Sequence, residues 1–265
     1  MSRLPVNKTY KLYIGGAFPR SESGRTYEAE GANVARGSRK DLRDAVRAAR
    51  GAFAGWSGMT AYNRGQVVYR IAEMLEARRS EFADLSSGAG EVDRSIDRLV
   101  WYAGWADKLA QVLGSSNPVA GLYFNFTVPE PTGVVGILAP DEPPLLGLVS
   151  RVAPAIVGGN TTVVVASETH PLAAVELAEV LATSDVPGGV VNLLTGFREE
   201  LAPWLAGHMD VNAIDLAGAD GQVEELEQLA AENVKRVVRG AADDQSPWEI
   251  ASFLELKTVW HPIGV

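Results

Sequence analysis

The chain has 265 residues, a net charge of −9 and a pI of about 5.0, so it can bury a sizeable core and disfavours nucleic-acid and anionic membrane surfaces. No apolar run approaches the roughly 20 residues that span a bilayer, and the N-terminus lacks a signal-peptide apolar core, so we expect a cytoplasmic protein without membrane contact. The chain contains no cysteine, which excludes disulfides, thiolate zinc sites and a thiol nucleophile.

The N-terminal part of the chain is predicted to form an extended arm followed by three helices. Ser38 with Asp41 resembles a capping box, which predicts the start of the first helix. The apolar spacing predicts a second helix that starts near Thr60 and buries residues as far as Phe82, and a third helix over Glu91–Leu113. The aromatic side chains of the third helix are expected to pack against the domain that follows.

A strand is predicted next, within residues 117–130. The stretch YFNFTV alternates two sets of side chains with a period of two, which is typical of a β-strand. A strand of this kind exposes backbone groups and an apolar face unless it is covered or paired.

The segment 131–240 alternates short apolar runs with longer amphipathic ones, with Pro, Gly and Asn at the joints. This pattern predicts βαβ units and a parallel sheet whose strands are buried on both faces. The predicted strands are Gly133–Leu138, Thr161–Val165, Val190–Leu194, Asn212–Leu216 and Lys235–Val238. The first of them ends at Ala139-Pro140, at the sheet edge where open α/β sheets bind ligands.

The chain contains, in this order, YIGGAF, AARGAFAGWSG, PTGVVGILAP, RVAPAIVGGNTTVV, PLAAVELAEVL and VPGGVVNLLTG. This order and spacing resembles the coenzyme domain of the aldehyde dehydrogenase superfamily as far as about Gly240. The last stretch, LELKTVWHPIGV, is similar to the terminal strand of the same family. A short connector, AADDQSPWEI, stands where the family has its catalytic domain. The resemblance therefore implies a truncated member without that domain, similar to the incomplete second unit of two-unit members.

The fold implied is α/β: a Rossmann-like, doubly wound parallel sheet of about five strands, preceded by N-terminal helices and carrying β-strand oligomerisation arms. By this division, 1–116 hold the arm and helices, 131–240 the Rossmann-like domain, and 117–130 with 249–265 the oligomerisation strands. In the family the matching strands reach over a neighbouring subunit, whereas a surface hairpin tied to its own domain is the alternative. The implied partner is a full-length aldehyde dehydrogenase, or a second copy when the protein is expressed alone.

The residues that the family uses for catalysis have no counterpart here. Attack on an aldehyde needs a thiolate, a carboxylate base and an amide donor for the oxyanion. The thiolate is missing, and KRVVRGAADD replaces the family's Leu-Glu-Leu-Gly-Gly segment that carries the base. The loop with the oxyanion Asn reads Pro-Asp-Glu-Pro-Pro, which puts Asp141 and Glu142 where the amide belongs. We predict no catalytic residue and no metal site, and we expect these two acids to be solvated.

Three residues are candidates for a vestigial cofactor site. The family's Lys-Pro-Ser-Glu segment reads Val-Ala-Ser-Glu here, so the Lys is lost and Glu168 remains, either to accept from ribose hydroxyls or to cap the following helix. Gly196 matches a glycine beside the adenine, but is equally a turn residue. Gly218 remains from the Phe-Thr-Gly-Ser motif, whose hydroxyls are gone, and the acids from Asp220 to Glu227 should repel pyrophosphate. No cofactor is expected, and at most weak residual NAD(P) binding.

Two functions remain open at this point. The first is a non-catalytic subunit that is a structural or regulatory partner of a full-length NAD(P)-dependent aldehyde dehydrogenase. The alternative is a nucleotide-binding protein, or an enzyme of the oxidoreductase family with altered chemistry. The lost catalytic groups favour the first, whereas the retained sheet pattern and Glu168 keep the second open.

Overall fold

The structure is a computed structural model that describes residues 7–264. Residues 1–6 of the predicted arm and residue 265 of the predicted second oligomerisation segment lie outside the described residues. Among residues 7–264, no helix is long and apolar enough to cross a membrane.

The N-terminal region begins with a small three-stranded sheet. Its strands are β1 (Thr9–Tyr10), β2 (Thr26–Ala29) and β3 (Ala32–Ala35), in the order β1-β3-β2. Tyr13 bonds in both directions with the backbone of Leu193, at 2.8 and 3.0 Å, so this sheet is joined to a strand of the main domain.

Helices fill the rest of the N-terminal region: α1 (Arg39–Ser57), α2 (Ala61–Ala77), α3 (Arg79–Asp84), α4 (Ala89–Trp105) and α5 (Leu109–Leu113). The capping box is confirmed, because Asp41 accepts from the Ser38 N–H at 2.8 Å and donates its own N–H to the Ser38 hydroxyl. The second and third helices were each predicted as one helix, which is wrong: each divides in two. The third breaks where the Ala106 N–H bonds to the Ala103 carbonyl three residues back, which tightens and ends the α-helical turn.

The rest of the chain holds β4 (Ser115–Asn117), β5 (Tyr123–Pro131), β6 (Val134–Leu138), α6 (Pro144–Val157), β7 (Thr161–Val165), α7 (Pro171–Ala182), β8 (Val191–Leu194), α8 (Arg198–Ala206), β9 (Ala213–Asp215), α9 (Val223–Ala231), β10 (Arg236–Val238), α10 (Pro247–Ala251) and β11 (Leu254–Pro262). Strands and helices alternate from β6 to β10, as predicted for residues 131–240, whereas β4 and α10 were not predicted. Five of these strands form a parallel sheet in the order β10-β9-β6-β7-β8. Every residue of β6, β7 and β8 is buried, because α1, α8 and α9 pack on one face and α6 and α7 on the other. The doubly wound α/β fold is therefore confirmed.

A separate antiparallel sheet has the order β11-β5-β4. β11 pairs with β5 over nine residue pairs, from Leu254 opposite Pro131 to Pro262 opposite Tyr123, while β4 covers only three residues of the other edge of β5. The long strand β11 is consequently an open edge of this sheet.

The connector between β10 and β11 is anchored on buried arginines. Arg151 on α6 is fully buried and donates its Nε to Asp215 on β9 and its Nη1 to Glu249 on α10, both at 2.6 Å. Arg98 on α4 donates to the Asp244 carbonyl at 2.8 Å and to the Asp243 carboxylate at 3.0 Å. The connector therefore packs into the fold through specific ion pairs.

Candidate functional site

The loops that follow β6, β7, β8 and β9 meet at the carboxyl edge of the parallel sheet, the usual ligand edge of this architecture. Asp141 follows β6, Glu168 follows β7, Arg198 follows β8 and Gly218 follows β9. Three of them form a hydrogen-bonded cluster, and the fourth packs against the end of β6.

Asp141 is the centre of this cluster. It accepts hydrogen bonds from the Ser167 hydroxyl at 2.6 Å, from the Glu168 N–H at 3.1 Å and from both terminal nitrogens of Arg198 at 3.1 and 3.2 Å. Burial raises the pKa of Asp141, but the Ser167 hydroxyl and the Arg198 guanidinium outweigh it and hold that pKa below its usual value. The expectation that Asp141 is a solvated loop acid is therefore wrong, since the partners that bind it lie 26 and 57 residues further along the chain.

Arg198, which follows β8, binds to the loop that follows β6. Its guanidinium forms a two-point ion pair with Asp141, and its Nη2 also donates to the Ala139 carbonyl at 2.9 Å. The side chain is largely buried, and its Nε has no partner within residues 7–264. Sequence reasoning missed this residue. The available signal was a lone basic residue at the start of a helix, opposite a loop with two acids.

Carboxylates occupy the helix N-termini at this edge, which are the usual phosphate-binding positions of such sheets. Glu91 of α4 accepts from the Leu145 and Leu146 N–H groups of α6 at 2.7 and 2.8 Å. Glu30 accepts from the Leu172 N–H of α7 at 3.1 Å. The first turn of α9 carries two acids of its own, Glu224 and Glu225. Each of these charges opposes the approach of a phosphate.

The three predicted cofactor residues have contacts within the chain. Glu168 accepts from the Arg198 N–H at 3.0 Å and so caps α8, not the helix α7 that follows it. Gly196 has φ 146°, and a Cβ there would lie 3.0 Å from the Gly37 nitrogen. Gly218 donates to the Leu138 carbonyl at 2.9 Å, and a Cβ there would overlap the Ala139 carbonyl oxygen. The structure brings Glu168 and Arg198 together and holds both glycines against backbone.

The chemistry available at this edge is limited. Asp141 is paired with a guanidinium, and Glu91 and Glu168 accept from backbone N–H groups, whereas Glu142 is an exposed side chain that contacts His170 at 3.0 Å. Within residues 7–264, no group of three or more His, Asp or Glu side chains is placed to hold a metal ion.

The antiparallel sheet is a second candidate site, because its surface is unusually apolar. Opposed residues of an antiparallel pair share a face, so Tyr123 and Asn125 lie on the same side as Pro262 and Trp260. The rings of Tyr123 and Trp260 meet edge to face at 5.7 Å. Of the fourteen exposed large apolar side chains among residues 7–264, six belong to this sheet and its flanks: Leu122, Tyr123, Phe124, Leu256, Trp260 and Ile263. An exposed aromatic surface beside an open strand is typical of an interaction site.

Comparison with known proteins gives consistent matches. Residues 25–241 match the family model described as the aldehyde dehydrogenase family. The chain is 37% identical over 252 residues to retinal dehydrogenase 2 of Gallus gallus, covering 87% of this chain and 48% of that protein. It is 34% identical over 248 residues to cytosolic aldehyde dehydrogenase 1 of Elephantulus edwardii, covering 86% and 49%. The chain thus spans about half the length of the curated relatives it matches.

Solved structures agree with the sequence matches. The NAD+ complex of an aldehyde dehydrogenase from Bacillus cereus superimposes with a TM-score of 0.80 at 28% identity, covering 87% of this chain and 50% of that one. HpcC from Thermus thermophilus gives a TM-score of 0.82 at 32% identity, covering 87% and 47%.

Proposed function

This chain belongs to the aldehyde dehydrogenase family, and we propose that it is a non-catalytic subunit, a structural or regulatory partner of a full-length NAD(P)-dependent aldehyde dehydrogenase. The observation that carries the proposal is the open, nine-residue strand β11 with its exposed aromatic surface. The fold keeps this surface while the sheet's ligand edge is filled by the chain's own side chains.

The chemistry of the ligand edge supports a non-catalytic role. The family's reaction needs a nucleophile and a base, and the chain contains no cysteine, while Asp141 at the sheet edge is paired with Arg198 and Glu168 with a backbone N–H. The connector reaches β11 within about fifteen residues and is bound to buried Arg98 and Arg151. This segment therefore carries no second α/β domain between β10 and β11.

The same edge argues against a cofactor. A pyrophosphate would have to displace Glu91 or Glu168 from the helix N-termini, and Arg198 from Asp141. Each displacement would leave a buried or half-buried charged group without its partner, which is costly. We therefore infer that NAD(P) binds weakly or not at all.

The antiparallel sheet supports association. In full-length relatives, the matching strands are expected to pair with a neighbouring subunit's catalytic-domain sheet. Residues 7–264 of this chain contain no second α/β sheet that a copy could offer. A full-length relative is therefore the better partner, and self-association is the fallback when the protein is expressed alone.

The test is co-expression with a full-length aldehyde dehydrogenase of the same organism, followed by size-exclusion chromatography with light scattering. We expect a stable mixed complex that is lost in Trp260→Glu, which puts a charge on the apolar sheet. Trp204→Glu is the matched control, since Trp204 has a similar exposure, 46% against 58%, but lies on α8 away from this sheet. A protein that stays monomeric and does not bind the full-length aldehyde dehydrogenase, or a complex that Trp260→Glu leaves unchanged, would refute the proposal.

A nucleotide-binding role is the second candidate. The complete five-stranded sheet and the position of Glu168 at a strand end favour it. Nucleotide binding at this edge requires the Arg198–Asp141 ion pair to break. A titration of the protein with nucleotide measures whether such binding occurs.

A further inference from the structure

A surface groove of about 970 Å³ lies between the start of α1 and the C-terminal ends of α8 and α9. Its lining includes none of the residues of the sheet's carboxyl edge and none of the antiparallel sheet. Its volume is within the range of about 300–1,000 Å³ that is usual for small-molecule sites.

The groove offers apolar surface to a ligand. Leu42 of α1 is a buried part of its lining, and Pro203 and Leu229 are half-buried. Trp204 and Met209 are exposed apolar side chains of the same groove, with Met209 86% exposed. Trp204, Met209, Pro203 and Leu229 therefore offer apolar surface that a chain or ring of a ligand would remove from water, with Leu42 packed beneath them.

The cation of the groove is Arg39. Its guanidinium carbon lies over the Trp204 ring at 3.6 Å from the ring centroid, a distance typical of a stacked cation–π contact. Stacking uses the face of the guanidinium and leaves its in-plane N–H groups for a planar anion such as a carboxylate. Within residues 7–264, Arg39 forms no ion pair, whereas Lys40 is paired with Glu22 at 2.7 Å and Arg43 with Asp44 at 2.9 Å.

The charged side chains of the groove lining determine which net charge of a ligand is favoured. The first 50 residues hold eleven Lys or Arg and five Asp or Glu, a net charge of +6, whereas the rest of the chain holds thirteen and twenty-eight, a net charge of −15. The groove takes its bases, Arg39, Lys40 and Arg43, from this basic segment, but its lining also includes the carboxylates Glu22, which pairs with Lys40, and Glu232. Three cationic and two anionic side chains leave a net charge of +1 on the lining, which favours a monoanion over a polyphosphate.

A neutral donor completes the lining. Burial lowers the pKa of His208, so its ring is uncharged at neutral pH. Its Nδ1 accepts from the Asp210 N–H at 3.2 Å, which places the ring proton on Nε2.

We propose that this groove binds an amphipathic monocarboxylate, with its apolar body against Trp204 and Leu229 and its carboxylate on the Arg39 guanidinium. The ligand is of small-molecule size, because the groove has a volume of about 970 Å³ and, within residues 7–264, Arg39 is its cation without an ion pair. This site is independent of the proposed function, since it shares no residue with the ligand edge or with β11.

The test is calorimetric titration of the whole protein with decanoate, below the concentration at which decanoate forms micelles. Decanol and decyltrimethylammonium are the matched probes, because they have the same chain with a neutral or a positive head. We expect saturable binding of decanoate, at least about tenfold weaker binding of decanol, and no binding of the cation. Equal affinity for decanoate and decanol, or no saturable binding of decanoate, would overturn the proposal.

Variants separate the carboxylate contact from general surface effects. Arg39→Gln should weaken decanoate binding by at least about tenfold, because it removes the charged partner. Arg39→Lys keeps the charge but loses the planar fork, and should give an intermediate affinity. Arg47→Gln, on the same helix but outside the groove lining, should bind as the wild type does. Unchanged binding in Arg39→Gln would refute the site, as would binding of an acidic peptide but not of decanoate.

Discussion

Replacing Arg151 with Met should destabilise the protein by about 3–5 kcal/mol at pH 8. Arg151 and Asp215 are both fully buried, and their ion pair is 2.6 Å long. The methionine fills most of the space but leaves the Asp215 carboxylate without a counter-charge. The carboxylate then keeps one hydrogen bond, from the Ala217 N–H at 3.0 Å. The variant also frees Glu249, which anchors the connector.

The loss should depend on pH in a definite direction. Burial raises the pKa of the Asp215 carboxyl, and the Arg151 guanidinium opposes that rise. Without Arg151, the folded-state pKa of Asp215 rises further above its unfolded value. A group with a raised folded-state pKa contributes stability below its unfolded pKa and loses it as pH rises through the folded pKa. The deficit of Arg151→Met should therefore grow from pH 5 to pH 8.

Urea unfolding at pH 5, 6.5 and 8, followed by tryptophan fluorescence, measures both effects. Arg47→Met is the control, because Arg47 is 70% exposed and should change the free energy of unfolding by less than about 0.5 kcal/mol. The double variant Arg151→Met/Asp215→Asn should lose the added pH dependence. A deficit below about 1 kcal/mol at pH 8, or an equal deficit at pH 5 and pH 8, would refute the reasoning.

Two other predictions concern the sheet edge. Because carboxylates already occupy its helix N-termini, the purified protein should bind NAD no more tightly than about millimolar and form no NADH from aldehydes; a low-micromolar dissociation constant by calorimetry would contradict this. Gly218→Ala should lower the free energy of unfolding by about 1–3 kcal/mol, because its Cβ would overlap the Ala139 carbonyl oxygen. Gly90→Ala, in open space on α4, should instead be neutral or stabilising by up to about 1 kcal/mol, and equal shifts of the two variants in thermal unfolding would count against the packing argument.

The parallel sheet was predictable because its signal is local. Thr161–Val165 was predicted and found as β7 with the same bounds, and the predicted Gly133–Leu138 differs from β6 by one residue. A continuous apolar, β-branched run bounded by turn residues is read within a few positions. The two helix breaks were missed, because an apolar spacing that continues past a break does not reveal that the backbone turns there.

The sequence by itself determined which chemical groups the protein lacks, since the absence of cysteine follows from composition alone. It also determined the alternation of strands and helices within residues 131–240, because their periods are local. Only the tertiary structure decided that Arg198 meets Asp141 across 57 residues, that Glu91 caps a helix 54 residues away, and that Thr127 lies opposite Thr258. Contacts at such separations depend on how strands and helices pack, and no period within a short window of sequence specifies them.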